Sequence, residues 1–154
     1  MEMPKPTDAH RKMEAMVGEW RGEERIHPSP WDPAGGIATA RVSNRLALDG
    51  FAVVQDYEQD RGAGVNFRGH GVLRYDAAAG EYAFHWFDSS GMPPGEFRGP
   101  FDGDVLTVTH RGPQGHARAI FDFGTAGRYL YRMEVSGDGE AWHPFLEGEY
   151  TREG

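Results

Sequence analysis

The 154-residue chain has no cysteine. That excludes disulfides, thiolate metal sites and a cysteine nucleophile, and it leaves no sign of an oxidised, secreted scaffold. A basic excess is missing too. Lys and Arg number 16 against 24 Asp and Glu, a formal charge of −8, and the cations are scattered among the acids. Such a balance argues against nucleic acid and against an anionic membrane surface as partners. Met1 to Pro6 holds no apolar stretch of the signal-peptide kind, and no later run approaches membrane-spanning length, so a cytoplasmic location is expected. No phosphate loop, Ser-His-Asp pattern or paired-carboxylate motif stands out. Nucleophilic catalysis is therefore not indicated, and the sequence leaves open whether the protein is an enzyme.

What the chain does have is 22 glycines, 10 prolines and 12% aromatic residues. Glycine punctuation between short aromatic and β-branched runs is the pattern of an all-β domain rich in turns. One domain over 1–154 is expected, with 1–6 as a loose lead. From about Thr7 to Val17, Ala9, Met13, Met16 and Val17 recur at helical spacing, with Asp8, Arg11, Lys12 and Glu14 on the other side. Thr7 or Asp8 can cap the start of this short helix and Gly18 can end it.

Alternation then takes over. In Glu19–His27, Trp20, Gly22, Glu24 and Ile26 share one face, while Glu19, Arg21, Glu23 and Arg25 form a charged, outward one. Glu24 is the one acid on the Trp20 side. His27 to Gly36, with three prolines, is a loop expected over one end of the fold. Leu48-Asp49-Gly50-Phe51 reads as a two-residue Asp-Gly hairpin turn in which Leu48 faces Phe51. Counting outward pairs Leu46 with Val53, Asn44 with Gln55, and Val42 with Tyr57, which puts two amides side by side on an otherwise apolar face. Further strands follow, with Phe67, Gly69, Gly71, Leu73 and Tyr75 on one side, then Phe84 and Trp86. Leu106, Val108 and His110 share a later face. Ala117 to Phe123, Tyr129 to Val135, and Trp142, Leu146 and Tyr150 complete the series. Glycines inside a strand, as at Gly69 and Gly71, mark a bend or a close approach. About ten strands joined by short loops favour an antiparallel up-and-down meander, and closing it into a barrel removes both edges and leaves room for a cavity.

Val17-Gly18-Glu19-Trp20-Arg21-Gly22, Leu48-Asp49-Gly50, Asp88-Ser89-Ser90-Gly91, Ser136 to Trp142 and Glu149-Tyr150-Thr151-Arg152 together resemble the bacterial domain family of unknown function 1579. That family is grouped with the calycins, which include lipocalins, fatty-acid-binding proteins and haem-binding nitrobindins. The resemblance implies a calycin-like barrel whose first-strand Trp20 is answered by Tyr150 and Arg152 at the end of the last strand, the arginine resting over the indole. Nitrobindin carries a Gly-x-Trp-x-Gly motif like Gly18 to Gly22, with its haem-ligating histidine near the C-terminus. Residues 147–154 contain no histidine, and His143 stands too early, so no haem and no other cofactor is expected.

Seven histidines invite a metal reading, but none pair at a familiar ligand spacing, and no metal site is expected. The candidate ligand-binding residues are Glu24, Asn44, Gln55, Tyr57, Tyr75, Trp86, His110 and Tyr131, a few polar groups within a largely apolar interior. The expected partner is a small hydrophobic molecule, bound without being transformed, by a monomer or a homodimer. The competing reading is a cofactor-free isomerase or cyclase acting on a hydrophobic metabolite, with a haem-binding nitrobindin-like protein ranked behind it. Glu24 discriminates: a carrier keeps it satisfied by internal partners, whereas a general base faces open cavity. Asn44 and Gln55 can orient a ligand or can simply bond each other.

Overall fold

Short connections let each strand fold back on the one before it, and the whole β portion forms one antiparallel sheet. In the computed structural model, which describes residues 1–153, helix α1 (Asp8–Lys12) precedes strands β1 (Gly18–Ile26), β2 (Gly36–Ala47), β3 (Ala52–Asp60), β4 (Val65–Asp76) and β5 (Glu81–Asp88). These are followed by β6 (Gly95–Gly99), β7 (Phe101–Asp102), β8 (Val105–Gly112), β9 (Gly115–Thr125), β10 (Arg128–Ser136) and β11 (His143–Arg152). Sheet order follows chain order except that β1 lies between β2 and β11, which closes the barrel. Pro100 has no N–H to give to a ladder and separates β6 from β7; both segments pair with β8 and serve as one strand, so the barrel has ten.

The closure expected from Trp20 is present. Trp20 stands opposite Arg152 and Gly22 opposite Tyr150. The Arg152 guanidinium lies 4.4 Å from the centre of the Trp20 ring, and its Nη1 donates to Val17 O at 2.6 Å. Trp20 Nε1 donates to Met16 O at 3.0 Å, tying the first strand to the segment that covers this end of the barrel. That segment is helical for less of its length than its spacing suggests: α1 tightens into a 3₁₀ turn over Met13–Met16. The segment ends at Met16, whose carbonyl accepts from both Trp20 Nε1 and Asn44 Nδ2. Met13 and Met16 are fully buried against the barrel, as their spacing required. His10 is buried as well, taking Thr7 N–H on Nδ1 and meeting the Phe51 and Tyr75 rings edge-on.

Register across β2 and β3 matches the count from the sequence: Leu46–Val53, Asn44–Gln55 and Val42–Tyr57 are all paired. The turn itself differs. Pairing ends at Ala47–Ala52, and Leu48 to Phe51 form a four-residue loop with Leu48 and Asp49 at positive φ. Leu48 therefore does not face Phe51 in the barrel but is 72% exposed. A second correction concerns Trp142. A bulge in β11 opposite Met133 and Glu134 inserts one residue and reverses the inward-outward alternation, so Trp142 lies on the outer surface under Arg118, 4.3 Å from its guanidinium carbon.

Glycine in β4 makes the interior possible. A Cβ at Gly69 would collide with the Trp86 ring, and one at Gly71 with the Phe84 ring. The two strands pair side by side, and these rings lean from β5 across the bare backbone of β4, stacked on one another at 5.9 Å. No helix is long and apolar enough to cross a membrane among the described residues.

Candidate functional site

Up-and-down order sends the connections after β1, β3, β5, β8 and β10 to one end of the barrel, away from α1. Behind this mouth lies a cavity of about 310 Å³. Its walls are mainly aromatic and aliphatic: Phe84 and Trp86 from β5, Phe121 from β9, Tyr131 and Met133 from β10, and Phe145 and Leu146 from β11. Phe145 is the residue that the β11 bulge inserts, so two consecutive side chains of that strand reach the interior.

Glu24 is fully buried at the middle of β1, opposite Ala38 on one side and Gly148 on the other. Tyr57 donates its hydroxyl to Glu24 Oε1 at 2.5 Å, Gln59 Nε2 donates to the same oxygen at 2.9 Å, and the Tyr150 hydroxyl donates to Oε2. Gln59 is itself held in place, its Oε1 accepting from Asn66 Nδ2 at 3.0 Å. Gly148 leaves space for the Tyr150 hydroxyl, since a side chain there would overlap it. Three donors close around the carboxylate, and the rings of Tyr57 and Tyr150 stand between it and the cavity, which they line while Glu24 does not.

The phenols behind this wall are hard to ionise. Burial pushes the Tyr57 hydroxyl far above the ordinary phenol value, and the neighbouring Glu24 charge pushes it further. Burial also raises Tyr131, with Glu24 adding to it, and raises Tyr150 and Tyr129 strongly. Each is a neutral hydroxyl at any ordinary pH.

The eight residues singled out from the sequence separate into three groups. Gln55, Tyr57, Trp86 and Tyr131 line the cavity, with Trp86 Nε1 donating to Asp88 Oδ2 at 2.8 Å. Glu24 and Asn44 are buried behind or beside it; Asn44 Nδ2 donates to Met16 O at 2.9 Å, while its Oδ1 has no partner among the described residues. Asn44 and Gln55 are neighbours across the ladder, yet they do not bond one another. Tyr75 and His110 lie outside the lining. Tyr75 packs on Tyr82 and His10 at the helix end. His110 sits at the rim, 5.5 Å from the Phe97 ring centre, with Nδ1 3.0 Å from Glu96 O.

Sequence reasoning passed over Gln59, Tyr150 and Phe145 as parts of the site. Gln59 was within reach, because the register that pairs Val42 with Tyr57 pairs Ala40 with Gln59 two places on. Tyr150 read as a closure residue, and Phe145 depends on a bulge that alternation does not announce. The proline-rich loop lies over one end, as expected, and what the sequence did not show is its fastening: Arg61 Nη1 donates to Asp32 Oδ2 at 2.5 Å and Nη2 to Gly35 O at 2.7 Å. Trp31 of that loop is 77% exposed and meets Phe145 edge-on at 6.3 Å.

The family described as "Protein of unknown function (DUF1579)" matches residues 5–152. Among solved structures, Rv2717c from M. tuberculosis is similar with a TM-score of 0.74 at 14% identity, over 96% of this chain and 99% of that one. The S-type phycobiliprotein lyase CPES from Guillardia theta is similar with a TM-score of 0.61 at 13% identity, over 97% of this chain and 99% of that one. At such identities the likeness is one of fold, a calycin-like barrel. No curated protein matches the chain in sequence.

Proposed function

The chain belongs to the DUF1579 family, whose function is unknown, and from the character of its interior we propose that the barrel binds a small, largely apolar molecule without transforming it. The observation that carries this reading is the state of Glu24. A general base must reach a substrate proton within hydrogen-bond distance, and it needs a lone pair free to take it. Glu24 instead spends both oxygens on Tyr57, Gln59 and Tyr150 and is fenced from the cavity by the two tyrosine rings. The competing isomerase or cyclase reading loses its strongest candidate.

A volume of about 310 Å³ is at the small end of the range for small-molecule sites, and an aromatic wall with a few polar groups is how such sites are built. The similarity in fold to a phycobiliprotein lyase agrees with a barrel that serves a small organic molecule. Native mass spectrometry of the protein as purified tests the reading, with Ala119→Phe as the control, because Ala119 is a buried lining position where added volume fills the cavity. A releasable adduct on the parent that is missing from folded Ala119→Phe supports binding. If the parent carries no adduct and shows no saturable uptake of any aromatic or aliphatic probe, the reading is wrong.

A further inference from the structure

The lining of the cavity also restricts the chemistry of what it takes. Asp32, Arg61 and Asp88 are the charged members of the lining, and all three sit at the mouth. Asp32 and Arg61 are spent on each other. Asp88 accepts from Trp86 Nε1 on one oxygen and from Ser90 N, at 2.9 Å, on the other. Glu24, the one acid behind the wall, has both oxygens occupied by its three donors and is not part of the lining. A ligand carrying a formal charge would lose its water on entering and find no counter-ion inside, at a cost that no apolar contact of this size recovers.

Within the lining, three neutral polar groups remain without partners in the protein among the described residues. The Gln55 side chain is 5% exposed and lines the cavity, yet its amide takes part in no hydrogen bond, not even with Asn44 beside it. The hydroxyls of Tyr129 and Tyr131, both on β10, are likewise unbonded while their rings line the same space. A buried amide left unpaired is costly, and a ligand atom that pairs with it recovers that cost on binding. Gln55 offers a donor and an acceptor, and burial keeps the two phenols protonated, so they donate as well as accept.

From this we infer that the cavity is selective for uncharged, ring-bearing molecules that carry a carbonyl, amide or similar neutral hydrogen-bonding group, with Gln55 as the anchor and the β10 hydroxyls as its second contact. The inference rests on the reading of the barrel as a small-molecule binder and adds the class of the ligand. Arg61 is no docking point for an acid in this arrangement, because its guanidinium is already occupied by Asp32 and Gly35 O.

Three probes on one ring system test it by calorimetry: a naphthalene carboxamide, the naphthalene carboxylate and ethylnaphthalene, all substituted at the same position. The carboxamide should bind about tenfold or more tightly than either of the others, a difference of about one hydrogen bond with a buried partner. In Gln55→Leu the carboxamide should fall to the level of ethylnaphthalene, whose own affinity should hold. Tyr131→Phe keeps the ring and should lower only the carboxamide, so the test survives a poorly folded Gln55 variant. A carboxylate that binds as well as the carboxamide would show an anion site and overturn the inference. So would a carboxamide preference untouched by both substitutions. If ethylnaphthalene binds as tightly as the carboxamide to the parent protein, small-molecule binding stands and the anchor is wrong; if none of the three binds, both readings fall together.

Discussion

The two ends of the barrel are built on opposite principles. At the helix end, apolar volume and hydrogen bonds converge on a few atoms: Met13 and Met16 fill the space, Met16 O accepts from both Trp20 and Asn44, and Arg152 covers the Trp20 ring and reaches Val17 O. At the mouth, a loop rooted by His27 on Phe145 O and Glu147 is held over a cavity by Arg61, which reaches Asp32 and Gly35 O, and by one edge-on contact from a largely exposed Trp31. The first arrangement fixes a structure. The second leaves part of the interior reachable and has little energy invested in staying shut. Residues that make the fold and residues that meet a ligand thus sit at different depths of one barrel, and the comparison can be broken by substitution.

The largest effect is expected at the helix end. Trp20→Ala removes a buried ring that packs on Tyr129 at 4.8 Å, frees the Arg152 guanidinium and leaves Met16 O with one donor fewer. A loss of about 3–5 kcal/mol is expected for truncating a buried aromatic of this size, read as a lower midpoint in urea with the slope unchanged. A loss below about 1 kcal/mol would mean that this end is not where the stability lies.

The middle of the barrel should come next. Tyr150→Phe keeps the ring and removes one of the three donors to Glu24, leaving Oε2 of a fully buried carboxylate without its partner. The expected cost is about 1–3 kcal/mol. This layer also sets the alkaline limit. Burial raises the phenols of Tyr57, Tyr129, Tyr131 and Tyr150, so the folded protein keeps protons that the unfolded chain releases. Their contribution to stability is complete below the free-phenol value of 10.0 and is lost as the pH rises above it. Tyrosinate absorbance should therefore appear together with loss of the near-ultraviolet dichroism, in one step above pH 10. Early ionisation of these four in the intact fold would show that the layer is wetter than its packing implies.

This division explains what could be read from the sequence. The strand opening at Gly18 to Gly22 and the hairpin register were legible because each is local or follows from counting by two, and the closing role of Tyr150 and Arg152 was legible through the family resemblance. Glu24, Asn44 and Gln55 were legible as inward for the same reason. Their partners were not. Asn44 finds Met16 O only because the helical segment docks there, Glu24 finds Tyr57 and Tyr150 only because β1 joins β2 to β11, and Phe145 reaches the cavity only through a bulge. Alternation gives the side of a strand on which a residue lies, not its height in the barrel, and so Tyr75 and His110 were grouped with residues that line a cavity they do not reach.

The smallest effect on stability is expected at the mouth. Arg61→Ala breaks the pair with Asp32 and the bond to Gly35 O, the two contacts by which β3's end holds the 27–35 loop. Both partners are about one-third exposed, so water replaces most of what is lost, and exposed pairs of this kind contribute about 0–1 kcal/mol. The global midpoint in urea should barely move. The loop should move instead, because with the pair gone its middle is restrained by Trp31 against Phe145 and by turns of its own between Ser29 and Gly35, while His27 at its root stays bonded to Phe145 O and Glu147. Amide exchange over residues 28–35 should speed up in Arg61→Ala while the strands keep their protection, and a bound probe should leave faster at little change in the stability of the fold. If Arg61→Ala instead lowers stability as much as Tyr150→Phe, the mouth is part of the core and the contrast between the two ends fails.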